Sequence, residues 1–174
     1  MAHGAAVGRE LSNSCWRDAP DWRYASTMDG DSECELCSGA GGELLWEDGS
    51  CRVVRATDAA GADFPGLCRV VWHRHVAEMS DLADGDARRV MEVVLATERA
   101  VRRVVQPDKI NLASLGNVVP HLHWHVIPRW RDDSRFPAPI WAALQRTGAA
   151  HPNPTNAQLR LALAAELSRV DPRP

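Results

Sequence analysis

An α+β fold on a mostly antiparallel sheet of about five strands is what this sequence predicts. Three observations carry that expectation: short β-branched runs parted by tight-turn signals, one long amphipathic helical stretch between two groups of those runs, and a second helical stretch near the end. In ELLWEDGSCRVVRATD, Asp48-Gly49 separates two short strands as a hairpin turn. FPGLCRVVW turns at Pro65-Gly66 and enters a third strand over residues 67–73. DGDARRVMEVVLATERAVRRVV, residues 84–105, is the long central helix: Val90, Met91, Val94, Val101, Val104 and Val105 fall largely on one face, with Arg and Glu opposite. Pro107 and Asp108 stop it. KINLASLGN reads as a strand running to a Gly116-Asn117 turn, and residues 118–127 as the next strand. TNAQLRLALAAEL opens with a capping box, Thr155 with Gln158, and predicts the C-terminal helix. Residues 1–30 carry Gly, Ser and Asp around Trp16, Trp22 and Tyr24 without a period, and predict an irregular arm. Residues 31–174 then form one domain.

Composition narrows the function classes. A length of 174 residues suits one domain with a proper core. With 45% hydrophobic and 25% charged residues the balance is that of an ordinary globular chain. A formal net charge of −3 leaves no basic excess for nucleic acid. No apolar run approaches the roughly 18 residues of a membrane span, and the first 30 positions lack an apolar leader segment. The expectation is a cytoplasmic protein with no membrane partner. Five cysteines, an odd number at irregular spacing, argue against a secreted disulfide framework. Cys51 and Cys68 fall in predicted strands and read as core.

The chemistry concentrates in HLHWHVIPRW, residues 121–130. Of seven histidines, three stand here in five positions. On a strand, alternate residues share a face, so His121, His123 and His125 point one way while Leu122, Trp124 and Val126 point into the core. Three readings compete: histidines that are merely packed or exposed, a three-histidine metal site, and nucleophilic catalysis by one imidazole oriented by its neighbours. Strand geometry resists the metal. At about 3.3 Å per residue the first and third Cα atoms lie roughly 13 Å apart, so with bonds of about 2.1 Å two of the three could share an ion, while all three on one ion from a straight strand is strained. Arg129 and Arg131, in RWRDDSRF, read as solvated loop charges or as contacts for a polyphosphate tail. CELC, residues 34–37, is a lone CxxC pair.

HLHWHVI fits the His-φ-His-φ-His-φ-φ pattern, with every φ apolar, of the histidine-triad (HIT) family. INLASLGNVVP is similar to the Asn- and Gly-bearing strand and turn ahead of that family's triad. PGLCRVVWHRHVAEMSDL resembles its strand, basic pair, His and Asp-Leu segment, and PRW downstream is also typical. Residues 34–141 are covered, and the chain resembles in particular bacterial HIT proteins described as diadenosine-polyphosphate hydrolases.

The resemblance implies a HIT-like fold and cleavage at a nucleoside α-phosphate through a nucleotidyl-histidine on the middle histidine, His123. It implies that His125 stabilises developing charge and that His121 orients its neighbours. It also implies that Asn111, Gly116 and Asn117 cradle phosphate while Asp58 grips the ribose. The substrate would be a purine nucleotide or a dinucleoside polyphosphate such as diadenosine tetraphosphate, or a nucleoside phosphoramidate, and catalysis would need no cofactor. A nucleotide-binding regulatory protein with little turnover is the alternative. Some HIT proteins and their uridylyltransferase relatives bind structural zinc, which here would use Cys34, Cys37, His75 and His121. HIT proteins are usually two-fold dimers whose sheets join, so a homodimer is expected. Many members carry Gly-Gln-Ser/Thr where this chain has Gly116-Asn117-Val118, so one hydroxyl donor is missing.

Overall fold

The computed structural model describes residues 34–170. The expected arm therefore lies outside the described residues. Five strands, β1 (Glu43–Glu47), β2 (Cys51–Arg55), β3 (Cys68–Trp72), β4 (Lys109–Ala113) and β5 (His123–Arg129), form one sheet in the order β1-β2-β3-β5-β4. Every pairing is antiparallel. The fold is α+β and HIT-like, as expected.

The hairpin between β1 and β2 closes where the Asp48-Gly49 signal stood: Asp48 Oδ1 accepts from the backbone N–H groups of Ser50 at 2.7 Å and Cys51 at 2.9 Å. At Pro65-Gly66 the chain reverses with Gly66 at φ +87°, and a Cβ there would meet Val105 at 2.7 Å, so only glycine serves. Two short helices, α1 (Glu35–Ser38) and α2 (Ala59–Asp63), lie outside the predicted elements. The long helix α3 (Asp84–Val105) has the predicted bounds, with Asp84 and Asp86 in its first turn, Arg102 and Arg103 in its last, and Gln106 in the left-handed conformation beyond. Helix α4 (Asn156–Val170) begins with the expected box: Gln158 accepts from the Thr155 N–H at 2.9 Å, and Thr155 Oγ1 accepts from the Gln158 N–H at 3.2 Å. Glu166 is buried between α4 and α3, where Arg99 and Arg103 donate to it at 3.0 and 2.6 Å.

The sheet's alternation sorts its residues onto two faces. Cys51, Val53, Cys68, Val70, Trp72, Trp124 and Val126 pack with Val90, Val93, Val94 and Val101 of α3, forming the main core. Cys51 and Cys68 are fully buried there, and burial pushes both thiols up to about 12. The opposite face carries Val54, Val71 and Arg69, then His123, His125 and Ile127, then Asn111 and Ala113. Two small clusters cover its flanks, Cys34 and Leu36 on Val54 and Val71, and Phe64 and Ile140 on Ile127. The row of histidines lies on this second face.

Two strand boundaries differ from expectation. β5 starts at His123 rather than 118, because Pro120 has no N–H to give a ladder and Val118 stands 92% exposed. It runs through Pro128 to Arg129, since β3 stops pairing at Val126 and leaves the proline a one-sided neighbour, Ile110 of β4. β4 ends at Ala113, and residues 114–122 are a loop.

Candidate active site

His121 parts company with the other two histidines. It precedes β5, in a tight turn where its N–H donates to the Val119 carbonyl at 2.8 Å. Its ring is wholly buried and turned toward Cys34, Cys37 and His75. The expectation of a strand-borne row of three is corrected to a pair, His123 and His125, whose ring centroids are 4.9 Å apart. The triad spacing serves two neighbouring sites.

The first site is a group of Cys34, Cys37, His75 and His121, whose candidate ligand atoms all lie within 4.8 Å of one another. His121 Nδ1 is 3.4 Å from both sulfurs, and His75 Nδ1 is 3.3 Å from Cys37 Sγ. A tetrahedral zinc with ordinary bond lengths would space sulfur and nitrogen about 3.5 Å apart. His121 Nε2–H donates to the Trp72 carbonyl at 2.6 Å. A carbonyl can only accept, so the proton sits on Nε2 and the Nδ1 lone pair faces the cysteines, the tautomer a metal ligand needs. Arg52 fastens the cysteine-bearing turn to the sheet through the carbonyls of Gly39 and Ala40, both at 3.0 Å. These four residues can hold a metal ion.

The second site is a cleft of about 1120 Å³ over β4 and β5. His123, His125 and Asn111 line it together with the loop bearing Gly116 and Asn117 and the segment ending in Ile140 and Trp141. His123 Nδ1–H donates to the His121 carbonyl at 2.6 Å, which leaves the lone pair on Nε2. Burial lowers its pKa, against that hydrogen bond, so the ring is neutral near pH 7. His125 is lowered further, to about 4, first by burial and then by His123 and Arg69. Ser114 Oγ donates to the His123 carbonyl at 2.9 Å and pins the start of β5.

Gly116 takes φ +75°, and the nearest atoms to a Cβ there would be 3.7 Å away; the backbone conformation is what asks for glycine. Asn111 Oδ1 accepts from Arg129 Nη1 at 2.8 Å, which fixes which end of the amide is which. Asp58 stands elsewhere. It caps α2 by accepting from the Gly61 N–H at 3.0 Å, pairs with Arg69, and is not among the cleft-lining residues. Although burial opposes it, Arg69 and that N–H hold its carboxyl below the usual carboxylate range.

Arg129 is no solvated loop charge. Only 2% exposed, it grips Asp133 through Nε at 2.7 Å and Nη2 at 3.1 Å, donates to the Ala138 carbonyl at 2.9 Å, and lies against the rings of Phe64 and Phe136. Arg131 stays at the surface. Sequence reasoning also missed Arg69, which sits directly across from His125. The period-2 parity of CRVVW, which puts Arg69 opposite in direction to Cys68 and Val70, could have found it. Trp141, whose ring centroid is 5.2 Å from that of His125, carried no local signal.

The chain is similar to known proteins in sequence and in fold. Residues 42–132 match the family model of the HIT domain. Over 78 residues the chain is 33% identical to an AP-4-A phosphorylase of Mycobacterium tuberculosis; the match spans 41% of this chain and only 40% of that protein's length. A histidine triad protein from Marinobacter aquaeolei has 25% identity and a TM-score of 0.58, over 76% of this chain and 93% of that one. Another from Bradyrhizobium japonicum has 26% identity and a TM-score of 0.55, over 74% and 92%. A zinc-bound histidine triad family protein from Mycobacterium smegmatis shares the fold, with 21% identity and a TM-score of 0.54 over 82% and 100%. No described helix is long and apolar enough to cross a membrane. With the family model spanning more than half of the chain, and with solved histidine triad proteins sharing its fold, this chain belongs to the histidine-triad (HIT) family.

Proposed function

We propose that the chain is a nucleotidyl hydrolase or transferase that cleaves at the α-phosphate of a dinucleoside polyphosphate, such as diadenosine tetraphosphate, or of a nucleoside phosphoramidate. The observation that carries this reading is the fixed tautomer of His123: with Nδ1–H held by the His121 carbonyl, Nε2 offers its lone pair from the wall of a cleft. Nε2 attacks phosphorus as the bond to the leaving group breaks, and the leaving group carries away the electron pair. The ring in the resulting nucleotidyl-histidine bears positive charge, and the His121 carbonyl faces its remaining proton. A second nucleophile then takes the nucleotide, and Nε2 recovers its lone pair.

His125, neutral near pH 7, donates a hydrogen bond to phosphate oxygens. Arg129 occupies the Asn111 carbonyl oxygen, which leaves the amide hydrogens for phosphate, beside Gly116 and Asn117. Asp58 meets the ribose on the other flank of His125, where Arg69 holds it. Cys34, Cys37, His75 and His121 would hold a structural zinc, which would bind the cysteine-bearing turn to β3 and β5. The reading is supported by the zinc-bound fold neighbour from Mycobacterium smegmatis. β4 is an edge strand, and its pairing with a second copy would join two sheets in a homodimer.

The test is an acid-quenched reaction with diadenosine tetraphosphate, with and without inorganic phosphate. A nucleoside monophosphate adduct mapping to His123 is expected. AMP as product marks water as acceptor, and ADP appearing only with phosphate marks the phosphorolysis named for the mycobacterial relative. His123→Ala should bind nucleotide and lower turnover by several orders of magnitude. Undiminished turnover in His123→Ala would sink the mechanism.

A further inference from the structure

From the order of side chains along β4, we infer that Lys109 selects the leaving group, favouring an anionic chain of further phosphates over an amine. The inference rests on the reading that a nucleotide α-phosphate meets His123 and His125, and it chooses between the two substrate classes which that reading leaves open. Ile110 and Leu112 turn to the main core, so Lys109, Asn111 and Ala113 share the face that carries the histidines. Ala113 lies across from His125, Asn111 across from Ile127, and Lys109 across from Arg129. At about 3.3 Å per residue, Lys109 stands roughly 13 Å along the strand from the level of His125, with Asn111 midway. A leaving group that departs along β4 passes the Asn111 amide and arrives at the ammonium.

The charges around the cleft make that ammonium decisive. Among the described residues that line the cleft, Lys109 is the one full cation near pH 7, and none is acidic. Arg129, directly across, supplies no charge to a ligand, because it is buried and neutralised by Asp133. The carboxylate of Asp108, next in the chain, accepts from the Arg131 N–H at 2.8 Å, and Arg131 itself lies outside the lining. Lys109 is exposed, and its flexible stem lets the ammonium follow a phosphate chain. A cleft with one sign of charge concentrates a polyanion. Cleavage at the α-phosphate of a polyphosphate leaves new negative charge on the departing oxygen, and a cation at that end stabilises the departing chain. An amine that leaves takes up a proton near pH 7 and meets a like charge, with no carboxylate in the lining to receive it.

The experiment is calorimetric titration of the full chain, Lys109→Met and Lys109→Arg with AMP and with α,β-methylene-ATP, whose α-phosphate has no bridging oxygen to lose. Turnover of diadenosine tetraphosphate and of adenosine 5′-phosphoramidate is measured beside it, with light scattering on each protein. The triphosphate analogue should bind the wild type more tightly than AMP by roughly 5- to 50-fold, between an exposed ion pair and a hydrogen bond to a charged group. That gain should shrink as salt rises. Lys109→Met should remove most of it, and Lys109→Arg should keep it. The ratio of polyphosphate to phosphoramidate turnover should fall by a similar factor in Lys109→Met and further in Lys109→Glu. Equal binding of AMP and the analogue by the wild type would overturn the inference, as would a gain or a turnover ratio that survives Lys109→Met. A loss of both ligands alike, with altered light scattering, would also overturn it and make Lys109 a contact between copies. Binding is read separately from the His123 adduct: a gain through Lys109 without an adduct supports Lys109 as the reader of the phosphate chain and sinks nucleotidyl transfer, and an adduct without that gain does the reverse.

Discussion

Replacing Arg129 with methionine keeps most of the side-chain volume and removes the side-chain hydrogen bonds from the end of β5 to Asp133, Asn111 and the Ala138 carbonyl. Arg129 and Asp133 are 2% and 4% exposed, and the pair is bidentate. Removing one member of a buried pair costs about 3–5 kcal/mol, because the other is left charged and dry. Asp133 keeps hydrogen bonds from the N–H groups of Arg135 at 2.9 Å and Phe136 at 2.7 Å, which moderates the loss. Asn111 and the Ala138 carbonyl each lose a donor, which adds to it. The expected cost is about 3–4 kcal/mol, a fall in Tm of roughly 6–16 °C for a chain of this size.

The pH dependence tests the cause. Burial opposes the ionisation of Asp133, but Arg129 and the backbone N–H groups hold its carboxyl below the usual carboxylate value of 3.8. That contribution is present above pH 3.8 and is lost as pH falls through the lower folded value. In Arg129→Met the carboxyl rises and can take a proton, so the gap in stability between variant and wild type should narrow from pH 7 toward pH 4. Urea unfolding followed by circular dichroism across that range reads it. A cost below about 1 kcal/mol at pH 7, the scale of an exposed pair, would refute the buried-clamp argument, as would a gap that widens on acidification.

Purified protein should carry about one zinc per chain, read by plasma emission spectrometry, and Cys34→Ser should lower Tm more than it lowers turnover; metal-free protein whose melting ignores chelator would remove the metal. Because burial takes His125 from 6.5 to about 4, the unfolded chain gains a proton in that window that the native state refuses. Stability should therefore fall as pH drops from 6.5 to 4, by roughly 3 kcal/mol from this residue, and His125→Asn should flatten that part of the curve. Truncation near Asp31 should leave nucleotide release measurable; a folded truncation without activity would place part of the site in the arm.

The sequence by itself determined the parts whose cause is local. The hairpin at Asp48-Gly49 follows from turn chemistry, α3 from its apolar period, and the Thr155–Gln158 cap from adjacent side chains. Alternation alone put Leu122 and Val126 in the core and His123 with His125 on the other face. Spacing and family likeness together named the four residues that gather as a metal-capable group. What only the tertiary structure decided depends on chain segments far apart in sequence. His121 leaves the row because Cys34, 87 positions away, and the Trp72 carbonyl claim its two ring nitrogens. Arg129 is buried because Asp133, Asn111 and the Ala138 carbonyl surround it with acceptors, which no local pattern of charges reveals. Trp141 meets His125 because the segment after β5 folds back over its own strand, and the partners that hold it there are set by packing rather than by period.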